Sequence, residues 1–242
     1  MSNYDLSIIV PAYNEANSIA QLLRKISSLK LEAPVSFEIL VVDDASTDGT
    51  SELVSPFLNE HVRLYKLEKN SGKGAAVRTG FGLARGRFFL VQDADLEYSP
   101  DDIPRLLDIA LQNPNATIYG SRQKGAKSLG GLRGVLKIWP KQAISSWLFN
   151  ILLSFWVFFI RKVWISDTLT GYKLYPASVF EDWLPKTSGF ETDHEITSRI
   201  LNLNRNIIEV PIAYCPRSRN EGKKIRSIDG YLAIKTFWRF RK

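Results

Sequence analysis

Apolar positions in the first half of the chain alternate between two periods. Leu6–Val10 is a short apolar run, Asn14–Ser28 carries Ile19, Leu22, Leu23 and Ile26 at helical spacing, and Phe37–Val42 is apolar again. Short runs predict strands and the helical spacing predicts a helix, so this stretch reads as a βαβ unit. The alternation continues with strands over Val62–Leu67, Phe88–Val91 and Thr117–Gly120, and helices over Gly74–Ala84 and Pro104–Leu111. Strands alternating with helices predict an α/β fold whose sheet is mostly parallel and covered on both faces. Right-handed crossovers then bring ligands to the carboxyl ends of the strands.

The pattern changes near Lys124. Gly125, Gly130, Gly131 and Gly134, spaced among Lys124, Lys127 and Arg133, predict a mobile basic loop. Beyond it, Trp139–Trp164 is aromatic and aliphatic, Asp167–Ile212 is a compact section, and Arg217–Lys242 is basic with interleaved aromatics. The most apolar stretch, Trp147–Ile160, is only about 14 residues long, is interrupted by Asn150 and Ser154, and falls short of the roughly 20 a membrane span needs. It predicts an interfacial or buried helix.

Composition narrows the class. Of 242 residues, 45% are apolar and 24% charged, which suits one large globular domain and excludes disordered, collagenous and low-complexity chains. The single cysteine, Cys215, excludes a disulfide framework and a cysteine-based zinc site. With only His61 and His194 as imidazoles, any metal is expected to be a hard ion held by carboxylate oxygens. A net charge of +7 favours anionic partners such as phosphates, nucleic acid or acidic lipid. Asp5 stands ahead of the first apolar run, so no secretory signal is evident and a cytoplasmic location is expected.

The strongest chemical signal is acidic residues placed just after apolar strands. Ile39–Val42 runs into Asp43 and Asp44, and Phe88–Val91 runs into Gln92, Asp93, Ala94 and Asp95, with Glu97 following. In a loop leaving a strand, Asp93 and Asp95 can turn their oxygens toward one point, and hard divalent ions take such ligands together with phosphate oxygens. One such cluster is equally well read as strand termination and helix capping. Two at successive strand ends favour a binding edge, while Asp48-Gly49 reads as a turn. Ser71-Gly72-Lys73-Gly74-Ala75-Ala76 follows the third strand rather than the first and lacks the Lys-Ser/Thr of a P-loop, so it reads as a glycine turn with Lys73 available to a phosphate.

Val10-Pro11-Ala12-Tyr13-Asn14-Glu15, Val41-Val42-Asp43-Asp44-Ala45-Ser46-Thr47-Asp48-Gly49-Thr50 and Gln92-Asp93-Ala94-Asp95-Leu96-Glu97 together resemble the family 2 inverting glycosyltransferases of the GT-A fold. Gly120-Ser121-Arg122, Ser166-Asp167-Thr168-Leu169-Thr170-Gly171 and Glu209-Val210-Pro211-Ile212 extend the resemblance to the dolichol- and polyprenyl-phosphate mannosyl- and glucosyltransferase branch. It covers nearly the whole chain. The resemblance implies a nucleotide-sugar-binding half, residues 1–124, and an acceptor-binding half with membrane-interface helices, residues 125–242, in one GT-A domain. Pro11, Tyr13, Glu15, Asp43 and Asp44 would hold the base and ribose of GDP-mannose or UDP-glucose, mannose being favoured, with Lys73 beside the phosphates. Asp93 and Asp95, with Glu97 where relatives often have Gln, would hold Mg²⁺ or Mn²⁺ against the diphosphate, whose developing charge the cation stabilises.

On the acceptor side, a dolichyl or undecaprenyl phosphate is already ionised at neutral pH, so cationic positioning matters more than a general base. The resemblance assigns that work to Arg122, Lys141, Ser145 and Arg217. Lys141 stands where relatives have Arg and offers a point charge in place of a bidentate fork. Lys223 and Lys224 would cover the phosphates as a closing segment, and Asp167 would act with Asp93 and Asp95 in catalysis by orienting the sugar or the acceptor. Phe190-Glu191-Thr192-Asp193-His194-Glu195 lies where hydroxyl-acceptor relatives carry a catalytic carboxylate, so Asp193 or Glu195 is a candidate base, acceptor ligand or helix cap; His194 reads as structural.

A peripheral contact with the cytoplasmic face of an anionic membrane is expected. Trp139, Trp147, Trp156 and Trp164, and Tyr231, Phe237, Trp238 and Phe240 among Lys235, Arg239, Arg241 and Lys242, suit interfacial helices, although a core helix with a basic tail fits the same residues. Two alternatives remain open: a glycan or other hydroxyl acceptor, and a nucleotide-binding, membrane-associated protein without turnover. No nucleic-acid partner is expected, since no recognition module is present.

Overall fold

The computed structural model describes residues 4–31, 35–128, 144–217 and 227–241. Its strands are β1 Tyr4–Ala12, β2 Phe37–Asp43, β3 Val62–Lys66, β4 Gly86–Val91, β5 Thr117–Ser121, β6 Lys173–Pro176 and β7 Ile207–Pro211. Its helices are α1 Ile19–Ser27, α2 Thr50–Val54, α3 Lys73–Leu83, α4 Ile103–Gln112, α5 Arg122–Ser128, α6 Ile144–Arg161, α7 Thr192–Asn202 and α8 Ser227–Arg239. One sheet takes strands from both halves of the chain in the order β3-β2-β1-β4-β6-β5-β7. All strands run the same way except β6, which lies antiparallel between β4 and β5.

Every strand and helix expected in residues 6–121 is present. Leu6, Ile8 and Val10 of β1 face one core with Ile19, Leu22, Leu23 and Ile26 of α1 and Leu106 and Leu107 of α4. Ile9 faces the other, where Val77 and Phe81 of α3, Leu153 and Val157 of α6, Ile196 and Ile200 of α7, and Phe237 of α8 gather. Cover on both faces is why the strands read as near-continuous apolar runs. Truncating one of these fully buried aliphatics to Ala would cost about 2–5 kcal/mol.

Three expectations need correction. The basic loop does not begin at Lys124, because Arg122–Ser128 is helix α5, opened by the Ser121 hydroxyl accepting the Lys124 N–H at 3.1 Å. Strand β6 was not expected: it has only four residues and begins with a buried lysine, too short for a periodic signal. Phe237 is not interfacial, because it is 1% exposed and packs on His194 at 5.3 Å between ring centroids.

Candidate active site at the carboxyl edge of the sheet

The sheet order reverses at β1: β2 and β3 lie on one side of it and β4 on the other. A doubly wound sheet opens a crevice at such a switch point, outside the carboxyl ends of the strands. The loops leaving β1 and β4, which carry Tyr13 and Glu15 and then Asp93, Asp95 and Glu97, meet there. Asn14, Ala45 and Leu96 have φ of 53°, 59° and 61°. Left-handed backbone is uncommon for residues other than glycine and marks chain turned sharply at the edge of a site.

The β1 and β2 loops are stitched together by side chains. Asn14 N–H donates to Ser46 Oγ at 2.9 Å, Thr47 N–H to Asn14 Oδ1 at 2.9 Å, and Ala16 N–H to Asp48 Oδ2 at 3.0 Å. Asp43, buried at the end of β2, accepts the Ser46 N–H at 2.9 Å and the Ser51 hydroxyl. Asp44 accepts the N–H groups of Ser71 and Gly72 at 2.7 and 2.8 Å, which fixes the turn before α3. The two acids expected to meet a nucleotide thus fix the loops that border the crevice. Pro11 pairs with Val42 one residue before the end of β1, and Tyr13 is half-buried at the opening.

The glycine turn has its own explanation. Gly72 has φ +92°, and a Cβ on Gly74 would collide with Thr192 Oγ1 and the Ser188 backbone, whose carbonyl accepts the Gly74 N–H at 2.7 Å. The turn docks the segment before α7 and aims Lys73 into the crevice. Arg78 Nη1 donates to the carbonyls of Pro185, Lys186 and Thr187 at 3.3–3.4 Å. Glu195 takes the N–H groups of Lys186 and Thr187 at 3.0 and 2.9 Å and the Thr187 hydroxyl at 2.7 Å. Its carboxylate is committed to that loop, whereas Asp193 is half-buried.

Each acid of the β4 loop faces a base. Lys73 Nζ lies 2.7 Å from Asp93 Oδ1 and 2.9 Å from Oδ2. Arg217, beyond β7, places Nη2 2.8 Å from Asp95 Oδ2 and Nη1 3.3 Å from Glu15 Oε2. Burial works to lower the Lys73 pKa, but the charges of Asp93 and then Asp193 outweigh it and hold the ammonium above the ordinary lysine value. Burial, then repulsion by Asp93 and Glu97, pushes Asp95 up to about 6 against the pull of Arg217. Crowded acids of this kind call for a cation.

Glu97 lies against Arg217 as well, with Oε1 3.7 Å from Nε. It accepts the Tyr214 hydroxyl at 2.6 Å and the Arg217 N–H at 2.9 Å. Among the described residues no three His, Cys, Asp or Glu side chains are grouped to hold a metal ion. Asp93 and Asp95 nevertheless fit a magnesium-type ion, which commonly takes one or two carboxylates and completes its shell with water and substrate phosphate.

The acceptor side centres on Arg122 and Asp167. Arg122 Nε and Nη2 reach Asp167 Oδ2 and Oδ1 at 2.8 and 2.7 Å, and the pair is 7% and 0% exposed. Burial alone would lower the Arg122 pKa, but Asp167 and Tyr98 raise it well above the ordinary value. Tyr98, Tyr172 and Tyr214 pack beneath, with ring centroids 5.2 and 5.3 Å from Tyr98, and the Tyr98 hydroxyl accepts the Gly171 N–H at 3.0 Å. Sequence reasoning missed this aromatic floor, since no spacing links the three residues. Lys141 and Lys224 lie outside the described residues, and Ser145 is described only as backbone of α6.

Helix α6 inverts the usual arrangement. Asn150, Leu153, Ser154 and Val157 are buried, while Leu148, Leu152, Phe155, Phe158 and Phe159 are exposed. Asn150 donates to the Ser166 carbonyl at 3.1 Å and accepts from Thr168 Oγ1 and Leu169 N–H at 3.1 and 3.2 Å. The two polar interruptions of the apolar run therefore mark its inward face, and Asn150 ties that face to the Asp167 segment. Trp238 of α8 lies beside Trp156 with ring centroids 6.0 Å apart and is itself exposed. Among the described residues no helix is long and apolar enough to cross a membrane.

A mostly parallel sheet with an acidic, cation-paired switch point defines an α/β protein of the GT-A kind. Residues 7–184 match the family model described as glycosyl transferase family 2. The chain belongs to that family and is a glycosyltransferase. It is 31% identical over 229 residues to dolichyl-phosphate beta-glucosyltransferase of Dictyostelium discoideum, covering 88% of this chain and 67% of the relative. It is 30% identical over 236 residues to dolichol-phosphate mannosyltransferase of Pyrococcus furiosus, covering 94% of this chain and 61% of the relative. The chain thus spans about two thirds of the length of these relatives. Mannosyl-3-phosphoglycerate synthase from Rubrobacter xylanophilus shares the fold with TM-score 0.68 at 21% identity, covering 98% of this chain and 73% of that one. Glucosyl-3-phosphoglycerate synthase from Mycobacterium tuberculosis, solved with Mn²⁺, UDP and glucosyl-3-phosphoglycerate, gives 0.63 at 17% identity, covering 97% of this chain and 78% of that one.

Proposed function

We propose that this protein transfers a hexose, mannose or glucose, with inversion from GDP-mannose or UDP-glucose to dolichyl, undecaprenyl or a similar polyprenyl phosphate. The observation that carries the reading is the Asp93/Asp95 pair at the switch point, with Lys73 and Arg217 against it, in a chain about 30% identical to dolichyl-phosphate sugar transferases over most of its length. The donor lies over the loops fixed by Asp43 and Asp44, with Tyr13 and Glu15 at its edge. Asp93 and Asp95 would hold Mg²⁺ or Mn²⁺, which when bound would neutralise the charge developing on the leaving diphosphate.

A phosphate monoester anion attacks without losing a proton, so the chain has to position it and need not deprotonate it. The commitment of Glu195 to the 186–187 loop agrees with that economy. Arg122, set rigidly by Asp167, and Arg217 are the described cations to which the acceptor phosphate is assigned. The exposed apolar face of α6, continued by Tyr231, Ile234 and Trp238 of α8 and bordered by Arg161, Lys162, Arg239 and Arg241, suits the interfacial layer of an anionic membrane on its cytoplasmic face. The test is transfer of label from nucleotide sugar into organic-phase lipid, with loss of transfer on chelation of the metal.

A further inference from the structure

Strand β6 runs between β4 and β5 and opens with a wholly buried lysine. A buried ammonium ordinarily has a carboxylate against it. Among the described residues Lys173 forms no ion pair: Nζ donates to the Asp193 carbonyl at 3.4 Å and to Thr197 Oγ1 at 3.5 Å, and lies 4.9 Å from the Tyr119 ring centroid. Those are long contacts for a group with three donors. Burial lowers its pKa from the ordinary lysine value, while the charges of Asp193 and Asp167 pull the other way. The residue has no part in the crevice described above, yet a Cβ on Gly171, two residues earlier, would lie 3.1 Å from Asp93 Oδ2, so the lysine sits just beneath it. Its neighbours do not depend on it for hydrogen bonds. The Asp193 carbonyl also accepts the Thr197 hydroxyl at 2.7 Å, and Thr197 Oγ1 meets the Tyr119 hydroxyl at 2.7 Å. An apolar side chain of similar length strands neither acceptor, and replacing a buried charge by a packed apolar group is often neutral or stabilising. What the ammonium alone supplies is positive charge behind the first turn of α7, where Thr192 abuts Gly74 and the half-buried Asp193 bears on Lys73.

We propose that Lys173 is a positioning residue whose ammonium anchors the first turn of α7 to β6 through the Asp193 carbonyl and the Thr197 hydroxyl, fixing the crevice wall that carries Thr192 and Asp193 at a cost in stability. The proposal rests on the crevice being the transfer site, as read above. Lys173 touches no substrate and acts only through α7.

The test compares wild type with Lys173→Met in the full chain by urea unfolding, by hydrogen exchange, and by transfer from GDP-mannose or UDP-glucose to undecaprenyl or dolichyl phosphate. Lys173→Met should unfold at the wild-type urea concentration or above it. The amides of His194 and Glu195, which donate to the Glu191 carbonyl at 3.0 Å, should exchange about tenfold faster, while those of β1 and β2 are unchanged. The kcat should fall about tenfold or more with KM for the nucleotide sugar within about threefold, since Asp43 and Asp44 keep their partners. An unfolding midpoint below wild type would make Lys173 a structural prop and overturn the proposal. Wild-type kcat in Lys173→Met overturns it too, as does unchanged exchange at the start of α7. Absence of transfer by wild type overturns the reading of the crevice, and the exchange comparison then decides the anchoring by itself.

Discussion

Arg122 and Asp167 form one buried unit: a two-point ion pair at 2.8 and 2.7 Å, with the Arg122 backbone N–H on the same carboxylate at 2.9 Å. It locks the end of β5 to the 166–171 segment. Removing the carboxylate charge strands a guanidinium away from water, which typically costs 3–5 kcal/mol. Asp167→Asn is therefore expected to lose about 3–5 kcal/mol in urea unfolding, together with transfer activity. An unfolding midpoint equal to wild type would show that the pair is not what holds these segments together.

Gly74 is expected to tolerate no side chain. A Cβ there meets Thr192 and the Ser188 backbone, so Gly74→Ala must push the segment before α7 away from α3. The expected cost is about 1–3 kcal/mol, with weakened binding of nucleotide because Lys73 moves with the turn. Gly82→Ala, where the nearest atom is Leu184 Cδ1 at 3.9 Å, should be neutral by comparison. Equal melting temperatures for the two variants would refute the docking role.

Burial, and then the charge of Lys173, lowers His194 to about 3. In the unfolded chain its pKa returns to about 6.5, so the unfolded state binds the extra proton between these values. The stability this neutral imidazole contributes is complete above pH 6.5 and is lost as pH falls toward 3. Between pH 7.5 and 5 wild type should lose about 2 kcal/mol more than His194→Gln. Parallel urea midpoints for the two proteins across that range would contradict the assignment.

The apolar face of α6 is expected to act on membranes and not on stability. Phe155 and Phe159 are 57% and 68% exposed. Phe155→Ser with Phe159→Ser should reduce co-flotation with vesicles containing phosphatidylglycerol roughly tenfold or more, leaving the melting temperature within about 2 °C of wild type. Undiminished flotation would place the contact elsewhere.

Much of this arrangement was legible in the chain. Regular apolar periods gave the elements through Ser121, and the placement of Asp43, Asp44, Asp93 and Asp95 after apolar runs located the carboxyl edge. What could not be read was partnership. Asp44 looks like a ligand until its bonds to Ser71 and Gly72 are seen, and Glu97 looks like a third metal acid until Tyr214 and Arg217 claim it. Those contacts span 27 to 120 residues and leave no local period. At the opposite edge, Glu38 accepts Ser7 Oγ at 2.6 Å and Arg63 Nη2 at 2.8 Å, a buried charge inside a strand that periodicity reads as uniformly apolar. Asn150 did leave a trace, as a polar break in an apolar run, but the run alone does not say which face turns inward.

Asp95 carries the central claim. Purified wild type and Asp95→Asn, each with Mg²⁺ or Mn²⁺ and radiolabelled GDP-mannose or UDP-glucose, are incubated with undecaprenyl or dolichyl phosphate, and label is counted in the organic phase. Wild type should transfer label in a metal-dependent way, and Asp95→Asn should fall by at least about 10³-fold with its circular dichroism unchanged, as expected when metal-borne stabilisation of the leaving group is removed. Near-normal transfer by Asp95→Asn would contradict the metal site. Nucleotide release by wild type without label in the lipid would contradict the polyprenyl phosphate acceptor.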